Sequence, residues 1–299
     1  MKKFKKIGIL GRPSSPHIAE TLQRLTDYLL TDDYEITLEK DIAPMLPNNK
    51  LRVVPCNIIG QYANLVIVIG GDGSMLGAAR VLAGSDVPVL GINRGTLGFL
   101  TDVSIDQVEQ QIAEVLQGNY SVEKRFLLEI ELINNGKISN KSSALNEIVL
   151  HQGRFSKMIE FELFINDQFV MSQKSDGIII ATPTGSTAYA LSAGGPIMHP
   201  SLNAVSLIPI CPHTLSSRPL VVDGDSHFTI KTSITKDICA QISCDGQVFL
   251  NSGPGDEMHI RKKKETLLLI HPLKYSYYET CRNKLSWGHA LGKSNQTSG

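Results

Sequence analysis

A glycine-rich turn with one acidic residue is the first feature of the sequence that could carry chemistry. The segment 70–73, Gly-Gly-Asp-Gly, directly follows the aliphatic run Leu65–Ile69 and precedes a helical pattern over Met75–Leu82. Glycines there let the backbone approach a phosphate, and a helix N-terminus attracts an anion. A carboxylate repels phosphate, so Asp72 suits binding of a metal ion or acceptance of a proton from a hydroxyl group that acts as the nucleophile. The alternative is a turn in which Asp72 only caps the helix.

A longer segment rich in Gly, Ser and Thr, Asp176–Pro196, begins with the apolar run Gly177–Thr182. Small hydroxylated side chains after a strand supply hydrogen-bond donors with little bulk, and the ring of Tyr189 can pack on a base or a ribose. A serine nucleophile is not indicated at Ser186, because Thr-Gly-Ser-Thr-Ala departs from the GxSxG pattern. We therefore predict a ligand-binding loop here.

Two shorter motifs are ordinary when each is taken alone. Asn146-Glu147 precedes the apolar run Ile148–Leu150 and could bind ribose hydroxyls or an adenine edge, or simply begin a strand. The segment 245–247, Asp-Gly-Gln, also fits a plain hairpin turn. Lys157 and Lys174 flank the predicted loops, and for each a contact to a charged ligand and a surface position remain open.

The first part of the chain alternates strand and helix patterns. Aliphatic runs predict buried strands, and apolar residues at helical spacing predict helices between them. This alternation favours a mainly parallel sheet covered by helices. The predicted strands are Lys6–Gly11, Ile36–Leu38, Leu65–Ile69 and Val87–Ile92, and the predicted helices are His17–Leu30, Met75–Leu82 and Ile105–Gln117.

From about Gly118 onwards strand patterns replace helical ones. Asn134-Asn135-Gly136 and Asn166-Asp167 stand where hairpin turns are expected. We predict an α/β domain over 1–118, a β-rich domain over 119–274 and a C-terminal tail over 275–299. The predicted strands of the second domain are Phe126–Ile133, Glu147–Leu150, Met158–Ile165, Gly177–Thr182, Phe228–Lys231, Cys239–Ser243 and Thr266–Ile270.

The composition limits the classes of function that the protein can have. The 299 residues carry a formal net charge of zero, which does not favour binding to nucleic acid or to an anionic membrane. Five cysteines without a CxxC pair indicate reduced thiols, and no early apolar run is long enough for a signal peptide, so we expect a cytoplasmic protein. The eight histidines lack metal-ligand spacing. The charged run Arg261–Lys264 is interpreted as a solvated turn before the strand at Thr266.

The motifs occur together in an order that resembles the NAD kinase family, in particular its bacterial ATP-dependent members. The resemblance extends over roughly Lys5 to Trp287, and the long Gly/Ser/Thr segment is its most specific part. The motifs that carry it are 70–73, 91–95 (Gly-Ile-Asn-Arg-Gly), 97–102 (Leu-Gly-Phe-Leu-Thr-Asp), 146–147, 176–196 and 245–247.

The resemblance implies an N-terminal α/β domain, a C-terminal β-sandwich-like domain and an active site in the cleft between them. Asp72 would be the general base that takes the proton from the 2′-hydroxyl of the adenosine ribose of NAD. ATP with a divalent metal ion, expected to be Mg²⁺, would donate the phosphoryl group. The residues implied for the NAD site are Asp72, Gly73, Asn146, Glu147, Asp176, Thr187, Ala188, Tyr189, Ala190, Leu191, Ser192 and Gln247.

The same resemblance implies a homodimer or homotetramer that acts on NAD and ATP. Two other functions stay open from the residues. Kinases of lipids or sugar phosphates also use GGDG-type loops, although the small polar segment Thr182–Ser192 does not suit a lipid. A non-catalytic sensor of NAD or NADP is the second alternative, and it leaves the acid at Asp72 unexplained.

Overall fold

The structure is a computed structural model that describes residues 4–13, 16–47, 50–93, 95, 98–153, 158–233 and 240–288. Its chain divides into two compact units. The first comprises Met1–Ala78, Val87–Val122 and Leu269–Gly299, and the second comprises Ala79–Asp86 and Glu123–Leu268. The domain limits 1–118, 119–274 and 275–299 stay a prediction.

The elements alternate between strands and helices at first and are almost all strands later. In chain order they are β1 (Lys6–Gly11), α1 (Pro16–Thr31), β2 (Glu35–Glu39), β3 (Arg52–Val54), β4 (Leu65–Ile69), α2 (Asp72–Leu82), β5 (Val89–Asn93), β6 (Val103–Ser104), α3 (Val108–Leu116), β7 (Tyr120–Asn134), β8 (Lys137–Ala144), β9 (Glu147–Gln152), β10 (Ile159–Ile165), β11 (Gln168–Ser175), β12 (Gly177–Ala181), α4 (Tyr189–Ser192), β13 (Ala204–Ile210), β14 (Leu220–Asp223), β15 (Phe228–Thr232), β16 (Ala240–Cys244), β17 (Val248–Ser252), β18 (Glu257–Pro272) and α5 (Tyr277–Leu285).

The first unit is built on a parallel sheet, as its sequence pattern predicts. Its strands lie in the order β3-β2-β1-β4-β5, and β6 and the end of β18 both pair with β5 in parallel. All five residues of β4 are buried, which explains the unbroken aliphatic run Leu65–Ile69. Leu22, Leu25 and Leu29 of α1 lie in the same apolar core as Ile67. Packing of this helical stripe on the sheet fixes the strand ends, where loops can carry functional residues.

The second unit contains two antiparallel sheets that share one apolar core. One sheet has the order β8-β7-β18-β15-β10-β11, and the other has the order β14-β13-β12-β9-β16-β17. Phe161 and Phe228 from the first sheet lie in the same buried cluster as Ile148 and Ile178 from the second. This arrangement confirms the sandwich-like fold predicted for the C-terminal part.

Tight turns join the hairpins where Asn and Gly predict them. Asn135 and Gly136 have φ angles of 48° and 73°, and Asn166 and Asp167 have 49° and 63°. Asp245 and Gly246, between β16 and β17, have 54° and 63°. Two successive left-handed residues match the right-handed strand twist, so these hairpins form as predicted.

The charged run Arg261–Lys264 corrects one prediction. It lies inside the long strand β18 and is not a turn. Arg261 Nε donates to Glu129 Oε1 at 2.6 Å, and Lys262 Nζ donates to Asp225 Oδ1 at 3.0 Å. Charged side chains with cross-strand partners suit the solvent-facing side of a strand, so polarity alone does not mark a turn. The interpretation was wrong because it was based on composition alone, without the residues that pair with this run on neighbouring strands.

The tail forms a helix that the sequence did not predict. Ser276 caps α5, and its hydroxyl accepts a hydrogen bond from the backbone N–H of Glu279. Cys281 is buried on this helix. In the part of the chain that the structure describes, no helix is both long and apolar enough to cross a membrane.

Candidate active site

The carboxylate of Asp72 stands at the start of α2 and is held by a neighbouring loop of the first unit. Its Oδ2 accepts a hydrogen bond from the backbone N–H of Phe99 at 3.0 Å, and its Oδ1 accepts one from Leu100 at 3.0 Å. The hydroxyl of Thr101 donates to Oδ1 at 3.4 Å. The side chain is half-buried. Three donors therefore fix the orientation of a carboxylate that solvent still reaches.

The turn before Asp72 needs glycine for steric reasons. Gly70 has a φ angle of 156°, and a Cβ atom there would lie 2.3 Å from Ser74 Oγ. The backbone N–H of Gly70 donates to Ile92 O on the neighbouring strand at 3.0 Å. The turn is thereby tied to the carboxyl edge of the parallel sheet, and Gly71 and Gly73 are exposed beside Asp72. Exposed glycines at a helix N-terminus leave room for an anion to approach the backbone.

Gly98 lies where there is no room for a side chain beside the Asp72 carboxylate. A Cβ atom at Gly98 would lie 2.1 Å from Asp72 Oδ1 and 2.5 Å from Thr101 Oγ1. Any larger residue would push the carboxylate or the loop out of place. Gly98 is therefore part of the arrangement that orients Asp72.

The second unit contains a cavity of about 660 Å³, a size typical of small-molecule sites. Glu147 and Val149 of β9 contribute to its wall, and the exposed ring of Tyr189 stands at it. The residues that line the cavity include Glu147, His151, Asp176, Tyr189, Ser243 and Asp245. Carboxylates and one aromatic ring suit a ligand with several hydroxyl groups and a flat base.

A buried carboxylate, Asp245, organises the backbone in front of β9. Its oxygens accept hydrogen bonds from the N–H groups of Leu145 at 3.0 Å, Asn146 at 2.8 Å and Glu147 at 3.3 Å. Arg80 Nη1 pairs with Asp245 Oδ2 at 2.9 Å, where the Asp245 side chain is fully buried. Arg80 Nη2 also donates to Gln247 Oε1. These bonds set the direction in which Asn146 and Glu147 leave the turn.

Burial raises the pKa of Glu147 to about 8, and the negative charge of Asp245 adds to this effect. Burial also raises the pKa of Asp245, although the three backbone N–H groups and Arg80 act in the opposite direction. Among the described residues, Glu147 Oε2 and Asn146 Oδ1 are buried without a hydrogen-bond partner. The Asn146 oxygen can only accept, whereas a protonated Glu147 carboxyl group can also donate, so the two together favour a ligand with polar hydrogen-bonding groups.

The hydroxyls at the start of the Gly/Ser/Thr segment bind the protein itself. Thr182 Oγ1 donates to Leu145 O at 2.6 Å, and Ser186 Oγ donates to Pro183 O at 2.7 Å and accepts from Met198 N at 2.9 Å. A Cβ atom at Gly185 would lie 2.2 Å from Asn146 O. Small residues are therefore needed so that this segment can pack against the turn that carries Asn146.

Comparison with known proteins identifies the family. The model of the ATP-NAD kinase N-terminal domain matches residues 7–120, and the model of the C-terminal domain matches residues 145–272. A curated NAD kinase of Ectopseudomonas mendocina (strain ymp) is 54% identical over 292 residues, which is 98% of this chain and 99% of the relative. The chain belongs to the NAD kinase family. A curated NAD kinase of Pseudomonas entomophila (strain L48) is 53% identical, again over 98% of this chain and 99% of its own length.

Solved structures of NAD kinases share the fold. Yeast NADH kinase complexed with NADH superimposes with a TM-score of 0.87 at 26% identity, over 97% of this chain and 89% of that one. An NAD kinase from Archaeoglobus fulgidus in complex with ATP gives a TM-score of 0.71 at 25% identity, over 93% and 99% of the two chains. The two-domain NAD kinase fold implied by the sequence is thus confirmed.

The structure places the residues predicted for the site of an NAD kinase in different surroundings. Glu147, Asp176 and Tyr189 line the cavity of the second unit, whereas Asp72 and Gly73 begin α2. Gln247 accepts a hydrogen bond from Arg80, and Asn146 is held by Asp245. Lys157 lies outside the described residues. The others do not line this cavity: Ala190 is buried, Thr187, Ala188 and Leu191 are half-buried, and Lys174 and Ser192 are exposed.

Sequence reasoning missed Arg80 and the central part played by Asp245. Arg80 stands near the end of α2, in a stretch from Met75 to Leu82 that is otherwise free of polar side chains, between the buried residues Ala79 and Leu82. A cation in such a place signals a buried partner. That partner is distant in sequence, and nothing in the sequence pattern alone identifies it as Asp245.

The described residues do not offer a metal site of their own. No group of three or more His, Cys, Asp or Glu side chains among them could hold a metal ion. The side chains therefore do not fit a cation bound through three protein ligands, and we derive no step through one.

Proposed function

We propose that this member of the NAD kinase family transfers the γ-phosphoryl group of ATP to the 2′-hydroxyl of the adenosine ribose of NAD, which gives NADP. The two family models and relatives more than 50% identical over nearly the whole chain support this activity. The observation that carries the assignment within the molecule is the half-buried Asp72 carboxylate, which three donors hold at the start of α2.

Asp72 is the general base in this proposal. A carboxylate offers about four lone-pair positions, and the loop uses two at Oδ1 and one at Oδ2. Oδ2 keeps capacity for one more donor, which suits an incoming ribose hydroxyl. The ribose hydroxyl is a weak nucleophile, and removal of its proton by Asp72 makes it reactive. Phosphoryl transfer then depends mainly on how the reacting groups are positioned.

The cavity of the second unit is proposed to bind the dinucleotide. The unpaired oxygens of Asn146 and Glu147 suit the amino group of adenine or ribose hydroxyls as donors. Asp176 and Tyr189 contribute a carboxylate and an open ring face in the cavity wall. Further contacts to NAD are proposed for Gly73, Lys157, Lys174, Thr187, Ala188, Ala190, Leu191, Ser192 and Gln247.

ATP is proposed to bring its divalent cation, expected to be Mg²⁺, bound to its own phosphates. We further propose a homodimer or homotetramer, to be checked by light scattering during size-exclusion chromatography. A cytoplasmic location completes the proposal. The four described cysteines are free thiols, which suits a reducing compartment.

An assay with purified protein, ATP, Mg²⁺ and NAD tests the activity, with NADP read by an NADP-specific dehydrogenase. Asp72→Asn should keep NAD binding and lose roughly 10²- to 10⁴-fold in turnover, the usual contribution of a general base. Asp106→Asn is the matched control, because Asp106 is an exposed carboxylate of the same unit. Phosphorylation of another acceptor but not of NAD would overturn the proposal, as would NAD binding without any turnover.

A further inference from the structure

A buried histidine–aspartate pair lies within the first unit, outside the residues assigned above. His271 Nδ1 is hydrogen-bonded to Asp102 Oδ2, and the two side chains are 0% and 7% exposed. His271 stands near the end of β18, and Asp102 directly follows Thr101. The pair therefore joins the C-terminal part of the chain to the loop that binds Asp72.

The loop Gly98–Asp102 packs tightly against strand β5. A Cβ atom at Gly91 of β5 would lie 2.8 Å from Leu100 O and 3.0 Å from Thr101 Cα, so the loop backbone rests directly on that strand. After the loop, Val103 and Ser104 pair with β5 in parallel. Strand pairing thus fixes one end, and the Asp102–His271 bond acts on the residue next to the donors of Asp72.

The ring of His271 is itself held in place. It stacks on the ring of Tyr275 with 4.0 Å between centroids and 11° between planes. The backbone N–H of Tyr275 donates to Pro272 O at 2.9 Å, which closes a turn between the strand and α5. The His271 side chain is also 0% exposed, and its burial at the end of β18 by itself leaves the ring little freedom, so Nδ1 presents one direction to Asp102.

We propose that His271 is a positioning residue for phosphoryl transfer, acting through Asp102 on the loop whose N–H groups orient the carboxylate of Asp72. The inference rests on the proposed role of Asp72 as the base. His271 touches neither substrate nor Asp72 in this account. It stabilises one loop geometry, and small displacements of a reacting group cost turnover much more than binding.

The pair also differs from ordinary core packing. Burial of a polar pair costs desolvation, and apolar residues of similar volume often stabilise a core equally well. A hydrogen bond fixes direction as well as distance, which apolar contact does not. Direction is what the loop needs, because its donors must meet two different oxygens of Asp72.

Three variants separate this role from a general effect on folding. His271→Leu keeps much of the bulk but removes the donor to Asp102. His271→Asn shortens the side chain but keeps a donor near the place of Nδ1. Tyr275→Leu removes the stacked ring and leaves the Asp102 bond, so it is the matched control for lost packing. Should His271→Leu fail to fold, Asp102→Ala removes the same bond while it keeps the stacked ring.

The expected result is a loss of roughly 10- to 100-fold in kcat for His271→Leu, with KM for NAD changed less than about twofold. His271→Asn should regain most of this loss, and Tyr275→Leu should lower Tm with kcat close to that of the native protein. Equal kcat in His271→Leu and the native protein would overturn the inference. So would a loss that the Asn variant does not relieve, or one that Tyr275→Leu reproduces.

A second measurement needs no turnover and so separates this inference from the proposed activity. In protein carrying carbon-13 aspartate carboxyl groups, the Asp72 resonance is assigned by its absence from Asp72→Asn. It should shift in His271→Leu but not in Tyr275→Leu. An unchanged resonance would overturn the positioning role even in an active enzyme. A shifted resonance in a protein that makes no NADP would leave the loop linkage intact and reject the proposed function.

Discussion

Two carboxylates, one in each unit, are held by the same number of local donors but differ in their surroundings. Asp72 accepts from two backbone N–H groups and one hydroxyl of a single loop. Asp245 accepts from three successive backbone N–H groups and pairs with Arg80. Asp72 is half-buried, whereas the Asp245 side chain is fully buried.

This is the difference that we expect between a carboxylate that acts as a base, the role proposed for Asp72, and a structural one. A fully buried carboxylate with a cation and three N–H donors has little capacity left for a ligand, and it mainly fixes the chain around it. A carboxylate that is held by three donors but remains open on one side is oriented and still able to accept a proton. The number of donors alone therefore does not mark a candidate base, and access to solvent is the second criterion.

The largest expected effect concerns the cation of the buried site. Arg80→Met leaves the Asp245 charge without its partner, and such a loss costs about 3–5 kcal/mol in the free energy of unfolding. Arg24→Met is the matched control. Arg24 binds Glu109 through two hydrogen bonds, and the two side chains are 38% and 39% exposed. An exposed pair of this kind contributes about 1 kcal/mol or less. Denaturant unfolding measures the free energy of unfolding of both variants. Equal losses would contradict the difference expected between the buried and the exposed ion pair.

A smaller effect is expected from Glu147 and depends on pH. Its pKa of about 8 lies above the unfolded value, so the folded state binds more protons and loses stability as pH rises from about 5 to 8. Glu147→Gln removes this loss, and its advantage over the native protein should grow by roughly 2–4 kcal/mol across that window.

Glu131→Gln provides the control for this pH dependence. The hydrogen bond from Lys141 lowers the pKa of Glu131, so that group is ionised throughout the same window. The difference between this variant and the native protein should not change from pH 6 to 8. A constant difference for Glu147→Gln as well would show that Glu147 is not buried in an uncompensated environment.

The smallest effect is expected at Gly98. The Cβ atom of Gly98→Ala would collide with Asp72 Oδ1, so we expect kcat to fall by roughly 10-fold with little change in KM for NAD. Gly185→Ala is the counterpart in the second unit, where the Cβ atom would meet Asn146 O at 2.2 Å. That variant should raise KM for NAD instead. Among the described residues, a Cβ atom at Gly95 would meet nothing within 4 Å, so Gly95→Ala should change neither constant.

Much of the fold follows from local patterns, but several strands were not predicted. The run Leu65–Ile69 and the Asn-Gly turn at Asn135 are recognisable because burial and left-handed backbone restrict the residue types. Strands β3, β6, β8, β11, β13, β14 and β17 were not predicted. In β8 the outward face carries polar residues instead of an apolar alternation, and Lys141 of this strand pairs with Glu131 of the neighbouring strand β7 at 2.6 Å.

The candidate site was predictable where glycine or unusual charge marks it. Asp72 was identifiable because a carboxylate in a glycine-rich turn repels phosphate and therefore indicates a chemical role. Arg80 and His271 did not, because each derives its importance from a partner more than 160 positions away, Asp245 and Asp102 respectively. Sequence patterns report local constraints, and such long-range pairs become visible only in the folded chain.

The measurement that tests the account most directly compares Asp72→Asn with Asp245→Asn in one set of assays. Turnover at saturating NAD and ATP, NAD affinity by calorimetry and the free energy of unfolding are measured for both. We predict that Asp72→Asn loses turnover and keeps NAD affinity, while Asp245→Asn loses stability and NAD affinity. Full turnover in Asp72→Asn would contradict the account, as would an Asp245→Asn protein that loses turnover alone.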